Sequence, residues 1–197
     1  MTRQPDPLII GLAGNAGVGK DTAAAYLQQH HSFEPFAFAA PLRAMLEALL
    51  VECGLDYAYL YEPHLKGVAI PGLGLSYREL AQTLGTEWGR ALDPDLWTRT
   101  AGLCLGLPAR PVHDRIVISD VRFPNEAHWI ASQGGVVVRL YRHQAGTVRA
   151  HISEQLLGEI EPWACIDNSG SLPELHHQLD ALIARLTTAQ PTEESAA

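Results

Sequence analysis

Cysteine is scarce in this chain of 197 residues. There are three, Cys53, Cys104 and Cys165, far apart and without a C-x-x-C pair. That argues against a disulfide framework and against a cysteine-built zinc site, and it fits thiols kept reduced in a cytoplasm. Long apolar runs are also missing. Stretches such as Leu8–Ala13 and Val136–Val138 fall far short of the roughly 20 residues that a membrane helix needs. Met1 to Pro7 has no basic segment leading into an apolar one, so no signal peptide is expected. Positive charge is in deficit: 14 Lys and Arg against 22 Asp and Glu, a formal net charge of −8. An acidic chain is a poor stable partner for a nucleic-acid polymer. A small anion in a local basic pocket remains open.

What is present reads as one ordinary globular domain by length. Leu8–Ala13 has the short apolar pattern of a buried strand, and Lys20 to His31 that of a helix. Phe33 to Ala39 suggests a weaker strand. Pro41 opens a helix that runs to about Cys53 and stops at Gly54. After an irregular stretch from Leu55 to Leu75, Ser76-Tyr77-Arg78-Glu79 has the form of a capping box, so a helix should start at Tyr77. Another follows Asp95. Ile116–Ser119 is a strand ending at Asp120, Glu126 to Gln133 a helix, and Gly135 to Tyr141 a strand. Ala164–Ile166 is a last short strand, and Ser171 to Leu186 a last helix. Strands alternating with helices imply parallel strands joined by right-handed crossovers, a three-layer α/β fold. Thr187 to Ala197 is polar and small and is expected to be a disordered tail.

Gly14-Asn15-Ala16-Gly17-Val18-Gly19-Lys20-Asp21-Thr22 lies between the first strand and the first helix, the setting of a P-loop. Glycines let backbone N–H groups turn inward around a phosphate, the helix start adds its positive dipole end, and Lys20 adds a mobile charge. The hydroxyl residue comes one position late: Asp21 follows the lysine, then Thr22. That G-K-x-T pattern is carried by nucleoside monophosphate kinases, and G-K-D-T resembles the phage deoxynucleoside monophosphate kinases. Thr22 then meets a phosphate oxygen. Asp21 either lies near Mg²⁺ or is a first-turn acid favoured by the helix dipole.

Five more segments carry the resemblance. Phe38-Ala39-Ala40-Pro41-Leu42-Arg43 is similar to the family's F-A-D-P-L-[KR], with Arg43 keeping the cation and Ala40 replacing the acid. Arg78 through Arg90 resembles R-x-L-x-Q-x-L-G-T-E-x-x-R. There Arg78 and Gln82 are i,i+4 neighbours. Arg78 offers a fork for a monophosphate, and Gln82 a donor and acceptor for a base edge. Ile116–Asp120 followed by Val121-Arg122-Phe123-Pro124-Asn125-Glu126 has the Walker-B form, placing Asp120 near Mg²⁺ and Arg122 beside it. Asn125 and Glu126 equally suit a helix cap. The segment from Arg139 through Arg142 and Arg149 to His151-Ile152-Ser153-Glu154 resembles a lid followed by the family's H-x-S-E, with His151 either a nucleotide contact or structural. Ile166-Asp167-Asn168-Ser169-Gly170-Ser171-Leu172 resembles a segment shared with dephospho-coenzyme A kinases, whose Asn lies near the adenine of ATP. Ser171 also suits the cap of the last helix.

The resemblance implies a three-layer P-loop fold around a parallel five-stranded sheet of order 2-3-1-4-5. It implies one kinase domain over 1–187, with a helical acceptor-binding region at about 41–110, a lid at about 142–151 and a tail at 188–197. It implies ATP and Mg²⁺ as cofactors and phosphoryl transfer to a deoxynucleoside monophosphate in the cytoplasm, of the host if the gene is viral. Lys20, Asp120, Arg122, Arg142 and Arg149 would be catalytic. Gly14 to Thr22 and Asn168 would hold ATP, and Arg43, Arg78, Gln82 and Arg90 the acceptor. Asp21 and Asp120 would serve the metal. A homodimer is compatible with it. Two other readings stand beside it: a kinase of another acceptor (dephospho-coenzyme A, phosphomevalonate or a modified base in DNA), and a P-loop ATPase switch.

Overall fold

In the computed structural model, residues 8–107, 111–143 and 156–189 are described. The chain divides into two compact units, one made of Met1–Pro35 with Asp114–Ala197 and one of Phe36–His113. The strands are β1 (Leu8–Ala13), β2 (Glu34–Phe36), β3 (Arg115–Val121), β4 (Val136–Tyr141) and β5 (Ala164–Asp167). They form one sheet in the order β2-β3-β1-β4-β5. β1 runs parallel to both β3 and β4, and β4 runs parallel to β5. This is the sheet order expected from the sequence, and the fold is that of the P-loop kinases.

The first unit adds α1 (Lys20–His31), α6 (Pro124–Ser132), a 3₁₀ turn (Leu156–Glu159) and the last helix, α7 (Leu172–Ala189). Strand parity sorts the core into two faces. Ile10, Leu12, Val117, Val138, Leu140 and Ile166 pack with α1 and α7 through Leu27, Leu175, Leu179 and Ile183. Gly11, whose neighbour in the strand faces the other way, meets Ile130 of α6 so closely that an added Cβ would lie 2.5 Å from its Cδ1. With both faces covered, the strands read as continuous apolar runs rather than alternating ones.

The second unit is helical: α2 (Ala40–Glu52), α3 (Ala58–Tyr61), α4 (Tyr77–Gln82) running on into a π-helical stretch (Thr83–Arg90), and α5 (Leu96–Leu105). Its core gathers Leu42, Leu46, Leu50, Leu60, Ile70, Tyr77 and Trp97.

Two expectations need correction. The strand expected over Phe33 to Ala39 is only Glu34–Phe36. It is an edge strand with Pro35 at its centre, which removes a ladder donor. The last helix does not stop at Leu186 but continues through Ala189, over Thr187 and Thr188, whose hydroxyls bond back to the carbonyls of Ile183 and Ala184. The helix starts at Tyr77 as expected and changes to π winding at Thr83. Among the described residues no helix is long and apolar enough to cross a membrane.

Candidate active site

Buried β1 delivers the chain into the glycine loop, and α1 begins at Lys20, as the sequence indicates. The loop needs glycine at particular points. Gly19 has φ +97°, and a Cβ there would lie 2.2 Å from Asn168 Nδ2; at Gly14, φ +142°, a Cβ would lie 2.3 Å from the Leu140 carbonyl oxygen. The Lys20 ammonium donates to the carbonyls of Gly14 at 2.6 Å and Asn15 at 2.9 Å, which holds the charge over the loop. Asn15, Ala16 and Gly17 are exposed, Val18 is buried, and Asp21 and Thr22 are exposed on the first turn of α1.

Beside the loop, Gly11 pairs with Ile118 but Ala13 pairs with Val121, so two steps along β1 match three along β3. The extra residue is a bulge at Ser119–Asp120, a device that re-aims side chains at the end of a strand. Asp120 is half-buried there, next to the strand that feeds the loop, and Arg122 is exposed one residue beyond β3. The turn that carries them is fixed from below. The buried Glu126 carboxylate accepts the backbone N–H of Arg122 at 2.7 Å and of Phe123 at 3.0 Å. Glu126 is therefore the cap of α6, as its place in the sequence suggests.

The other flank of the loop is the carboxyl end of β4 and β5. Arg142 Nε donates to the Asn168 carbonyl at 2.7 Å, and Asn168 Nδ2 donates to the Val18 carbonyl at 2.8 Å. Ser169 donates its N–H to Asp167, and its hydroxyl accepts the His143 N–H. The Ser169 hydrogen bonds, aided by His143, hold the Asp167 carboxyl below its ordinary range. Ser171 donates its backbone N–H to Glu174 at the start of α7, one half of a capping box. Arg139, expected at the root of a lid, turns inward instead: its Nη2 donates to the carbonyls of Leu157 and Ile160 and clips the 3₁₀ turn to β4. Arg149, His151 to Glu154 and most of the expected lid lie outside the described residues.

In the helical unit the expected acceptor residues have separate settings. Arg43 on α2 approaches the Tyr77 hydroxyl, Nε to Oη 3.5 Å, and lies over the Tyr61 ring, 5.6 Å from its centroid. Tyr61 in turn donates to Glu47, and that bond, with desolvation, raises the phenol above its ordinary pKa. Arg78 and Gln82 are exposed on α4, whose start is fixed by the expected capping box between Ser76 and Glu79. Arg90 Nη1 donates to the Pro94 carbonyl at 3.1 Å. The aromatic clamp on Arg43 escaped the sequence reading. The i,i+4 spacing of Arg43 and Glu47 was the available signal; Tyr61 lies in a stretch with no periodic pattern. Ala40 opens α2 and brings no carboxylate.

Among the described residues no group of three or more His, Cys, Asp or Glu is placed to cage a metal ion. That is compatible with Mg²⁺, which is usually held by one or two carboxylates together with the substrate's phosphates. Asp120 is half-buried and Asp21 is exposed.

A protein of Acanthamoeba polyphaga mimivirus, named "Putative deoxynucleotide monophosphate kinase", is 29% identical over 182 residues, covering 87% of this chain and 94% of its own. The crystal structure of TT1252 from Thermus thermophilus superposes with a TM-score of 0.52 at 21% identity, over 92% of this chain and 99% of that one. The family model "Deoxynucleotide monophosphate kinase" matches residues 73–179, more than half of the chain. The chain belongs to the deoxynucleotide monophosphate kinase family.

Proposed function

We propose that this chain transfers the γ-phosphoryl group of ATP to a deoxynucleoside monophosphate. An acceptor phosphate oxygen attacks the γ-phosphorus, the bond to the β-phosphate oxygen breaks, and ADP and the deoxynucleoside diphosphate leave. The observation that most supports this reading is the span of the family match, residues 73–179. It takes in the Arg78–Arg90 segment, Asp120 and Arg122, and Asn168 together.

The protein's part is positioning and charge rather than covalent chemistry. The loop's N–H groups and Lys20 hold the β- and γ-phosphates. Thr22 meets a phosphate oxygen. Asp120 and Asp21 would hold Mg²⁺, which when bound neutralises phosphate charge. Arg122 and Arg142, joined on sequence grounds by Arg149, face the charge that develops on the transferring group. Arg43, Arg78 and Arg90 bind the acceptor's phosphate, and Gln82 reads its base edge. In Arg43 the aromatic clamp limits rotamer freedom, so less entropy is lost when a phosphate binds.

The test is ADP release measured across all deoxy- and ribonucleoside monophosphates, with dephospho-coenzyme A as a control. Turnover with one or more deoxynucleoside monophosphates, and none with dephospho-coenzyme A, is expected. Turnover with dephospho-coenzyme A alone would replace this reading by the other acceptor.

A further inference from the structure

Asn168 stands at a junction. Its side chain is only 4% exposed, at the end of β5. Its backbone N–H donates to the Tyr141 carbonyl at 2.8 Å, its own carbonyl accepts from Arg142, and its Nδ2 donates to the Val18 carbonyl at 2.8 Å. The same nitrogen lies where a Gly19 Cβ would be, 2.2 Å away. The ends of β4 and β5 and the glycine loop therefore meet on one carboxamide.

We propose that Asn168 is a positioning residue that sets the Val18–Gly19 peptide, so that the Gly19 N–H is offered to a nucleotide phosphate. The proposal rests on the reading of the loop as the donor-nucleotide site. A trans peptide is planar, with its C=O and N–H pointing to opposite sides. Pinning the Val18 oxygen to Asn168 turns the Gly19 N–H away from Asn168. A peptide free to rotate would at times present its oxygen to the phosphate, and oxygen repels oxygen. Gly19, at φ +97°, permits the required backbone, and its bare Cα permits the close approach of the carboxamide. Arg142, through the Asn168 carbonyl, braces the same residue from β4.

This role differs from contact with the base, which the sequence resemblance implies for the residue. A base contact distinguishes nucleotides; a loop-setting contact acts on phosphate alone. The isosteric Asn168→Asp variant keeps the shape but replaces the Nδ2 donor with an acceptor against the Val18 oxygen.

Calorimetry on the full chain, wild type, Asn168→Asp and Asn168→Ala, with ATP, GTP and inorganic tripolyphosphate, separates the two. The proposal expects all three ligands to weaken by a similar factor, roughly ten- to a hundredfold, the range for a lost buried contact. KM for the monophosphate should stay put. Loss of ATP affinity with tripolyphosphate untouched would overturn it in favour of a base contact, and so would unchanged affinity for all three. Should the variants not fold, wild-type chain labelled with ¹⁵N still decides. Tripolyphosphate must shift the Gly19 amide and the Asn168 side-chain amide together, and a Gly19 amide that stays still contradicts the proposal. A wild type that binds tripolyphosphate but phosphorylates no monophosphate sinks the kinase reading instead, so the two failures are distinguishable.

Discussion

Replacing Lys20 with Ala should leave a folded chain with kcat reduced by roughly a hundred- to a thousandfold or more, the scale on which one preorganised donor acts. The ammonium's bonds to the carbonyls of Gly14 and Asn15 lie within its own loop, so unfolding temperature should change far less than turnover. Near-normal turnover would remove Lys20 from the mechanism. Glu126 makes the opposite forecast. It is 3% exposed and accepts two backbone N–H groups. Glu126→Ala orphans both, at about 1–3 kcal/mol for each unsatisfied group, and loosens the turn that carries Asp120 and Arg122. Denaturant unfolding should register the loss, and the Mg²⁺ concentration for half activity should rise. Glu126→Gln, which retains an acceptor oxygen, should be milder on both counts. Equal behaviour of the two variants would mean that the two N–H bonds are not what matters.

At the scale of elements, α1 and α7 are tied at the surface as well as through the core. Asp180 of α7 accepts from Tyr26 at 2.9 Å and lies 2.8 Å from His31 Nε2, and the Tyr26 ring stacks on both His30 and His176. The His31 bond first, then the Tyr26 bond, hold the Asp180 carboxyl below its ordinary value of 3.8. A depressed carboxylate stabilises the fold above its unfolded pKa, and that contribution is lost as pH falls through the lower folded value. Thermal midpoints should thus fall on acidification below about pH 4, and Asp180→Asn should flatten that part of the curve. A variant curve parallel to wild type would assign the acid sensitivity elsewhere. The π-helical stretch makes a packing forecast. A Cβ on Gly89 would lie 2.5 Å from Trp97 Cζ2, so Gly89→Ala should cost about 1–3 kcal/mol through overpacking. A neutral substitution, read by denaturant melting, would show that Trp97 can move aside.

These elements also show what a sequence carries and what it hides. The loop from Gly14 to Gly19, the start of α1 at Lys20 and the Ser76–Glu79 cap were legible because each depends on local spacing: glycines before a lysine, an apolar run before both, Ser three residues before Glu. The bulge at Ser119–Asp120 was not, because it exists only in the register of β3 against β1. The π winding was not legible either; within it the Gly85 carbonyl accepts from Trp97 Nε1 and Gly89 lies against the Trp97 ring, contacts between residues eight to twelve positions apart. The inward turn of Arg139 depends on carbonyls some twenty positions further on, and charge alone marks such a residue as a ligand contact rather than a brace.

On the whole-molecule scale, the chain carries a net charge of −8, while the side chains proposed to meet phosphate are cations, among them Lys20, Arg43, Arg78 and Arg122. Surface acidity and pocket cations are compatible because Coulomb attraction to a bound phosphate is decided within a few ångströms, while distant charges are screened by salt over about 8–10 Å. As proposed, the first unit's glycine loop binds a nucleotide so that its terminal phosphoryl group passes to a second nucleotide, not to water. That transfer is tested most directly by following the label of [γ-³²P]ATP in the presence and absence of a deoxynucleoside monophosphate. Label should appear in the deoxynucleoside diphosphate, one for each ADP formed, and little ADP should form without the monophosphate. Label released as inorganic phosphate at the same rate with or without it would make the chain an ATPase and not a nucleotide kinase.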